Sequence, residues 1–233
     1  MDKFNQGDVI QLHNGEAVVN KNLDSIRGCI YLVDYNGERK ILKWLDDCYY
    51  ANEIYHHALK VVELGSINEC FIWPEDITDL QKNGLGYIIP SVSNEYVDLR
   101  EIYLKNYNPE YRHLISAAVS LSNAMKALTQ NDLVMHGLLS LKINPNNGKI
   151  LIPVDNLAIV PTATRLSWYD NPKYSTPEVS LGYGTNSYSN RFILARLLFQ
   201  MLFMSHPFEG MRTNQIALMT PDVQFQLRPC IYF

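Results

Sequence analysis

Between Phe192 and Met204 the chain is built of good helix formers and is apolar on every side except at Arg196 and Gln200, the pattern of a helix surrounded by protein. No other stretch limits the fold as much. At about 13 residues, against the roughly 20 needed to cross a bilayer, the run reads as the central helix of a folded body and not as a membrane span. His206-Pro207 stops it, because proline has no N–H to give and restricts its predecessor. Upstream, Thr176-Pro177-Glu178 and a polar spacer lead to Asn190, a polar residue that opens the helix.

The remaining chain must supply the body around that helix. With 233 residues, 47% of them hydrophobic and 15 of them tyrosine, it can bury a core as one large domain or two small lobes and is not a disordered composition. A net charge of -4 provides no basic field, so nucleic acid is not an expected partner. The first ten residues, Met1 to Ile10, contain no apolar signal region, and a cytoplasmic protein away from membranes is expected. Cys29, Cys48, Cys70 and Cys230 are widely spaced and read as reduced, buried small hydrophobes. His56 and His57 are adjacent, hence about 100° apart on a helix, and no metal-binding histidine pattern is present.

Residues 8 to 45 alternate in short strand-like bursts, at Val9–Leu12, Ala17–Val19, Cys29–Val33 and Lys40–Leu45, and Asn36-Gly37 between the last two signals a hairpin. An antiparallel meander follows. Tyr50, Ile54, Val61 and Leu64, with His57 between, fall at helical spacing and Gly65 stands as the C-terminal cap. Phe71–Pro74 and Gly86–Pro90 read as two strands separated by a polar turn at Gln81–Gly84. Leu114, Ala118, Leu121, Met125 and Leu128 then mark an amphipathic helix over Arg112–Gln130. Next come a loop around His136, a short strand at Leu141–Ile143, a turn at Asn144–Gly148 and a strand at Lys149–Ile152.

This order of parts resembles the protein kinase superfamily. Thr-Pro-Glu before a buried helix and His-Pro-Phe after it are similar to the end of a kinase activation segment and the helix it leads into. Asn171-Pro172-Lys173-Tyr174 is similar to the family's segment just before that tripeptide. Ile41-Leu42-Lys43-Trp44-Leu45 looks like the third-strand lysine motif, closest to a bacterial Ser/Thr kinase-like branch reading Ala-Leu-Lys-Trp-Tyr. The resemblance implies an α+β, two-lobed fold: a β-rich small lobe over residues 1–92 and a mainly helical, shortened large lobe over 93–233, with the likeness fading past Gly210.

It also implies where a nucleotide would sit. Lys43 would grip the α and β phosphates of ATP, although alternation alone favours a solvent-facing lysine on a half-exposed sheet. Glu53 would be its glutamate partner, with His56 aligning about as well. Backbone groups of Pro90 and Val92, in a hinge at Pro90–Ser93, would meet an adenine edge. Asp155, in Asp155-Asn156-Leu157, would hold magnesium, or else cap a turn. Gly28 is the one glycine left in the phosphate-covering loop Leu23–Gly28. There Asp24 adds like charge, and the side chains of Leu23 and Ser25 obstruct close approach.

The catalytic loop departs from the family outright. With His136-Gly137-Leu138 in register, Leu138 stands at the expected aspartate and Ile143 at the expected asparagine; a one-residue slide brings Gly137 and Lys142 there instead. Neither frame supplies the acid. His136 could act as a base or be a satisfied structural histidine. Thr162, Thr164, Ser167, Tyr169, Tyr174, Ser175 and Thr176 read as polar loop composition before phosphorylation sites.

No catalytic residue is therefore assigned, and the expected function is that of an inactive pseudokinase in bacterial signalling, binding a protein partner, with ATP and magnesium as the only cofactors to consider. An active bacterial Ser/Thr kinase with an unconventional loop, and a non-kinase interaction module, are the alternatives.

Overall fold

The structure, a computed structural model, describes residues 3–23, 29–46, 51–81, 84–136, 141–154, 159–164 and 176–204. Two compact units divide the chain, Met1–Ser93 and Asn94–Phe233.

The first unit is an antiparallel sheet in the order β1-β2-β3-β4-β7-β6. Its strands are β1 (Val9–Gln11), β2 (Glu16–Asn22), β3 (Ile30–Tyr35), β4 (Glu38–Asp46), β6 (Asp76–Ile77) and β7 (Gly84–Pro90), with α1 (Ala51–Leu64) and β5 (Phe71–Ile72) between β4 and β6. The meander has the hairpin expected at Asn36-Gly37. Tyr35 pairs with Glu38, and Asn36 and Gly37 both take positive φ, 51° and 80°, the left-handed pair that a two-residue turn needs to match strand twist.

Side chains alternate across β4, so the sheet has two unlike faces. Leu42 and Trp44 join Ile10, Ala17, Val19, Tyr31, Val33 and Ile88 in one apolar cluster. On the other face Leu85 and Tyr87 are fully buried, and α1 packs against β6 and β7. α1 buries Ala51, Ile54, Ala58 and Val61, and Trp73 donates its indole N–H to the Val61 carbonyl at 2.8 Å. Leu64, placed on the apolar face by its spacing, is instead exposed. Small Ala58, which carries little hydrophobic signal, is fully buried on that face. Gly65 has φ 68° and donates to the Val62 carbonyl at 3.1 Å, as a cap should.

The connection before β7 is not a single polar turn. Asp76 and Ile77 form β6, pairing with Ile88 and Tyr87. Asp76 is completely buried, and its carboxylate accepts from the Asn14 N–H at 2.9 Å, the Asn14 amide at 3.1 Å, the Tyr35 hydroxyl at 2.7 Å and the Ile77 N–H at 2.9 Å. Four donors on one buried carboxylate tie the β1–β2 turn and the end of β3 to the sheet edge. Burial, and then the hydrogen bond and negative charge of Asp76, push the Tyr35 hydroxyl up to about 12.

The second unit contains β8 (Val97–Asp98), α2 (Leu99–Tyr103), α3 (Tyr111–Gln130), β9 (Leu133–Met135), β10 (Lys142–Ile143), β11 (Ile150–Pro153), β12 (Ile159–Pro161), α4 (Pro177–Ser180) and α5 (Ser189–Phe203). Within it β10 pairs with β8 and β11, and β9 pairs with β12. Asp98 caps α2 by accepting the Arg100 N–H at 2.9 Å. The amphipathic helix expected at Arg112–Gln130 is α3, burying Leu114, Ala117, Ala118, Leu121, Ala124, Met125 and Leu128. In the β10–β11 turn Gly148 has φ 73°, and a Cβ there would stand 2.2 Å from the His113 carbonyl oxygen.

α5 departs from the sequence expectation. It packs on α3 and β9, but one face is buried and that face carries its polar residues: Asn190, Arg196 and Gln200 lie inside with Ile193, Leu197 and Met201. Phe199 and Phe203 are 37% and 68% exposed, stacked on each other with ring centroids 4.8 Å apart. Hydrogen bonding outweighs hydrophobicity here. Asn190 accepts from the Met135 N–H at 3.0 Å and donates to the Leu133 carbonyl at 2.9 Å and the Thr129 hydroxyl at 3.1 Å, fastening α5 to the α3–β9 junction. Among the described residues no helix is long and apolar enough to cross a membrane.

Two outcomes follow. Because the folded state holds Tyr35 protonated beyond its ordinary range, stability present below pH ~10 is lost as pH rises through ~12, by about 1 kcal/mol once solvent screening of the hydroxyl is included. Tyr35→Phe flattens that alkaline decline in urea melts while lowering neutral stability by roughly 1–3 kcal/mol. Asn190→Ala leaves the Met135 N–H and Leu133 carbonyl unsatisfied and lowers stability by about 2–4 kcal/mol, measured by denaturant midpoint at unchanged slope.

Candidate functional site

The residues expected to bind nucleotide fall on elements that can be described one unit at a time. In the first unit Lys43 lies near the middle of β4, paired with Ile30 of β3 on one side and Tyr87 of β7 on the other. A strand held by ladders on both sides fixes the Cα of its lysine more firmly than a loop can. Lys43 is half-buried and leaves the sheet on the face opposite Leu42 and Trp44. That excludes a fully solvated lysine.

Glu53 sits in the first turn of α1 and is exposed, as is His56. Pro90 ends β7, paired with Lys40, and Val92 follows two residues later; both are half-buried. A proline offers only its carbonyl to a ligand, so a backbone donor on this segment must come from another residue, such as Val92. Ser91 donates its hydroxyl to the Arg39 carbonyl at 3.0 Å, tying the segment to β4. Gly28 lies outside the described residues, as do Asp24 and Ser25.

In the second unit the loop that should carry the acid begins at the end of β9. His136 is completely buried, so substrate cannot reach it as a base without moving the chain. Leu138 lies outside the described residues, and so does Asp155. Ile143, at the expected asparagine position, is fully buried and paired with Ile150 and Val97. Lys142, its neighbour in the shifted frame, is half-buried and paired with Leu151 and Asp98.

Magnesium in a kinase needs oxygen ligands from both the metal-binding aspartate and the catalytic-loop asparagine. A buried hydrocarbon at Ile143 cannot be one of them. Among the described residues no group of His, Cys, Asp or Glu is arranged to hold a metal ion.

The tripeptide before α5 is ordered around one polar pair. Thr176 is buried, Pro177 opens α4, and the Ser189 hydroxyl donates to the Glu178 carboxylate. The loop between them is closed by Tyr183 N–H to the Glu178 carbonyl at 2.9 Å, and by Thr185 exchanging bonds with Ala163 and Thr164 at 2.7 and 3.0 Å. Asn190, one residue on, is the part that sequence reasoning undervalued. A polar side chain in the first turn of an otherwise apolar helix was the available signal, since such a group survives burial only with partners.

No protein-family model and no curated protein matches this sequence. Solved structures do. The chain is similar to the kinase domain of BubR1 with TM-score 0.58 at 12% identity, covering 88% of this chain and 67% of that one. It is similar to the kinase domain of PknI from Mycobacterium tuberculosis with TM-score 0.57 at 14% identity, covering 88% and 78%. At such identity the likeness speaks for the fold alone, and with it the curled antiparallel sheet carrying Lys43 and the helical second unit have their explanation: this chain has a protein-kinase-like fold.

Proposed function

We propose that the chain is a pseudokinase, a kinase-like domain that does not transfer phosphate and works as a regulatory or scaffolding protein by binding a protein partner. The observation that carries this reading is Ile143, buried and strand-paired where a kinase needs a metal-holding asparagine. The neighbouring stretch supports it. From His136 to Ile143 the chain contains no carboxylate, and its histidine is enclosed. Losing a positioned acid or base alone slows a reaction by about 10²–10⁴, and the effect deepens when the metal is lost with it.

Lys43 supports a retained nucleotide interaction, because a half-buried lysine in a doubly paired strand keeps the geometry of a phosphate contact. The exposed Leu181, Tyr183 and Tyr188 between α4 and α5 support a partner surface on the segment that follows Glu178.

Thermal melting with Mg·ATP, run beside a labelled-phosphate assay on a generic Ser/Thr substrate, tests the reading. At 100 times the dissociation constant, bound nucleotide adds about 2.7 kcal/mol, a rise of several degrees, and Lys43→Ala abolishes the rise. No labelled phosphate moves to substrate. Transfer above background overturns the pseudokinase; an unmoved melting point removes the nucleotide and leaves a pure scaffold.

A further inference from the structure

The face of the sheet opposite Lys43 is crossed by the chain's first described residues. Residues 5–8 are fastened to β2: the Gly7 N–H donates to the Val19 carbonyl at 2.8 Å and the Val19 N–H to the Asp8 carbonyl at 2.9 Å. Asp8 accepts the Asn5 N–H at 2.7 Å, closing a small turn in which Gly7 takes φ 91°. From there the chain passes over β3 to β4. Phe4 stands edge-on to Tyr31 and Trp44, with centroid distances of 5.4 and 4.9 Å. The Lys3 N–H donates to the Tyr31 hydroxyl at 3.2 Å. The Lys3 ammonium lies 5.6 Å from the Trp44 ring centre and is ion-paired with Asp46.

The Trp44 ring is thus held from above by two residues of this strap, and its backbone N–H donates to the Cys29 carbonyl at 2.8 Å, holding the strand beneath it. Beneath it nothing bulky fits: a Cβ on Gly86, the cross-strand partner of Trp44, would meet the indole at 2.9 Å. The ring therefore has one seat, between Gly86 and Phe4. Lys43 is the adjacent residue, projecting from the other face of the same strand. Any change in pleat or twist that lets Trp44 rise also swings the start of the Lys43 side chain, because one peptide plane links the two Cα atoms.

We propose that residues 3–8 are a strap that sets the position of Lys43 through Trp44, with Phe4 as a positioning residue for the anion that the lysine binds. A partner or modification that lifts the strap would loosen the lysine without touching it. That the anion is a nucleotide phosphate rests on the pseudokinase reading; the mechanical coupling does not.

The test measures the lysine itself. Limited acylation of lysine amines, followed by mass spectrometry, gives the rate at Lys43 relative to Lys40, three residues away on β4 and held by Glu38 and Glu75 at 2.9 and 3.0 Å. In Phe4→Ala the Lys43 to Lys40 ratio changes by at least about twofold, the low end of the roughly twofold to thirtyfold range for contacts along a coupled path. Phe4→Leu restores most of it, and Ile10→Ala, in the same apolar cluster but on the edge strand β1, leaves it unchanged. Lys3→Met, which keeps the stem but removes the charge over Trp44, shifts the ratio in the same direction and decides the matter if Phe4→Ala does not fold. An unchanged ratio in both strap variants, or an equal change in Ile10→Ala, overturns the strap. The Kd for Mg·ATP, taken on the same proteins, weakens by a similar factor. If the unaltered chain binds no nucleotide, that reading fails alone and the labelling ratio still decides the coupling.

Discussion

Everything that gives the small unit a usable site depends on β4 being paired along both edges. Strands β3 and β7 flank it from Lys40 to Lys43 and beyond, so its backbone polar groups are satisfied and its side chains have no choice but to alternate. Leu42 and Trp44 are committed to the core. Lys43 is thereby committed to the other face, half-buried, on a backbone that cannot slip without turning hydrophobic residues outward. The hairpin at Asn36-Gly37 and the buried Asp76 carboxylate serve the same register, one by closing β3 on β4 and the other by holding the β1–β2 turn to β6.

In the second unit the comparable constraint is hydrogen bonding to a helix end. A helix that is apolar around its circumference has no preferred side, and the hydrophobic effect alone would not orient α5. Asn190 does: its three bonds to Met135, Leu133 and Thr129 are worth most when dry, and an unsatisfied amide in the core would be expensive. Turning that side inward carries Ile193, Leu197 and Met201 with it, by helical periodicity, with Gln200 nearer its edge, and leaves Phe199 and Phe203 outward. Side-chain oiliness was a poorer guide to burial than the partners available.

The parts that the sequence marks out as kinase-like recur as structural elements. The strand with its lysine, the amphipathic α3, the Thr-Pro-Glu tripeptide and the α5 that follows are all present as structure. Ile143, which the resemblance to kinases sets at the metal-holding asparagine, is packed and paired. Its fully buried side chain contributes to the core, and a polar group in its place would be stranded without water.

From the sequence by itself came the order of the elements, the Asn36-Gly37 hairpin and the face of α3, because each rests on neighbours close in the chain: turn stereochemistry and periodicity. The tertiary structure alone decided the rest. β6 is two residues long and its leading residue is a charged Asp76, so nothing local marks it as strand; only donors from Asn14 and Tyr35, over 40 residues away in sequence, make a buried carboxylate tolerable there. The inward face of α5, the alanine contact of α1 and the seat of Trp44 under Phe4 are of the same kind. Each is chosen by a partner distant along the chain, and a pattern read within one turn or one strand cannot contain the partner that decides it.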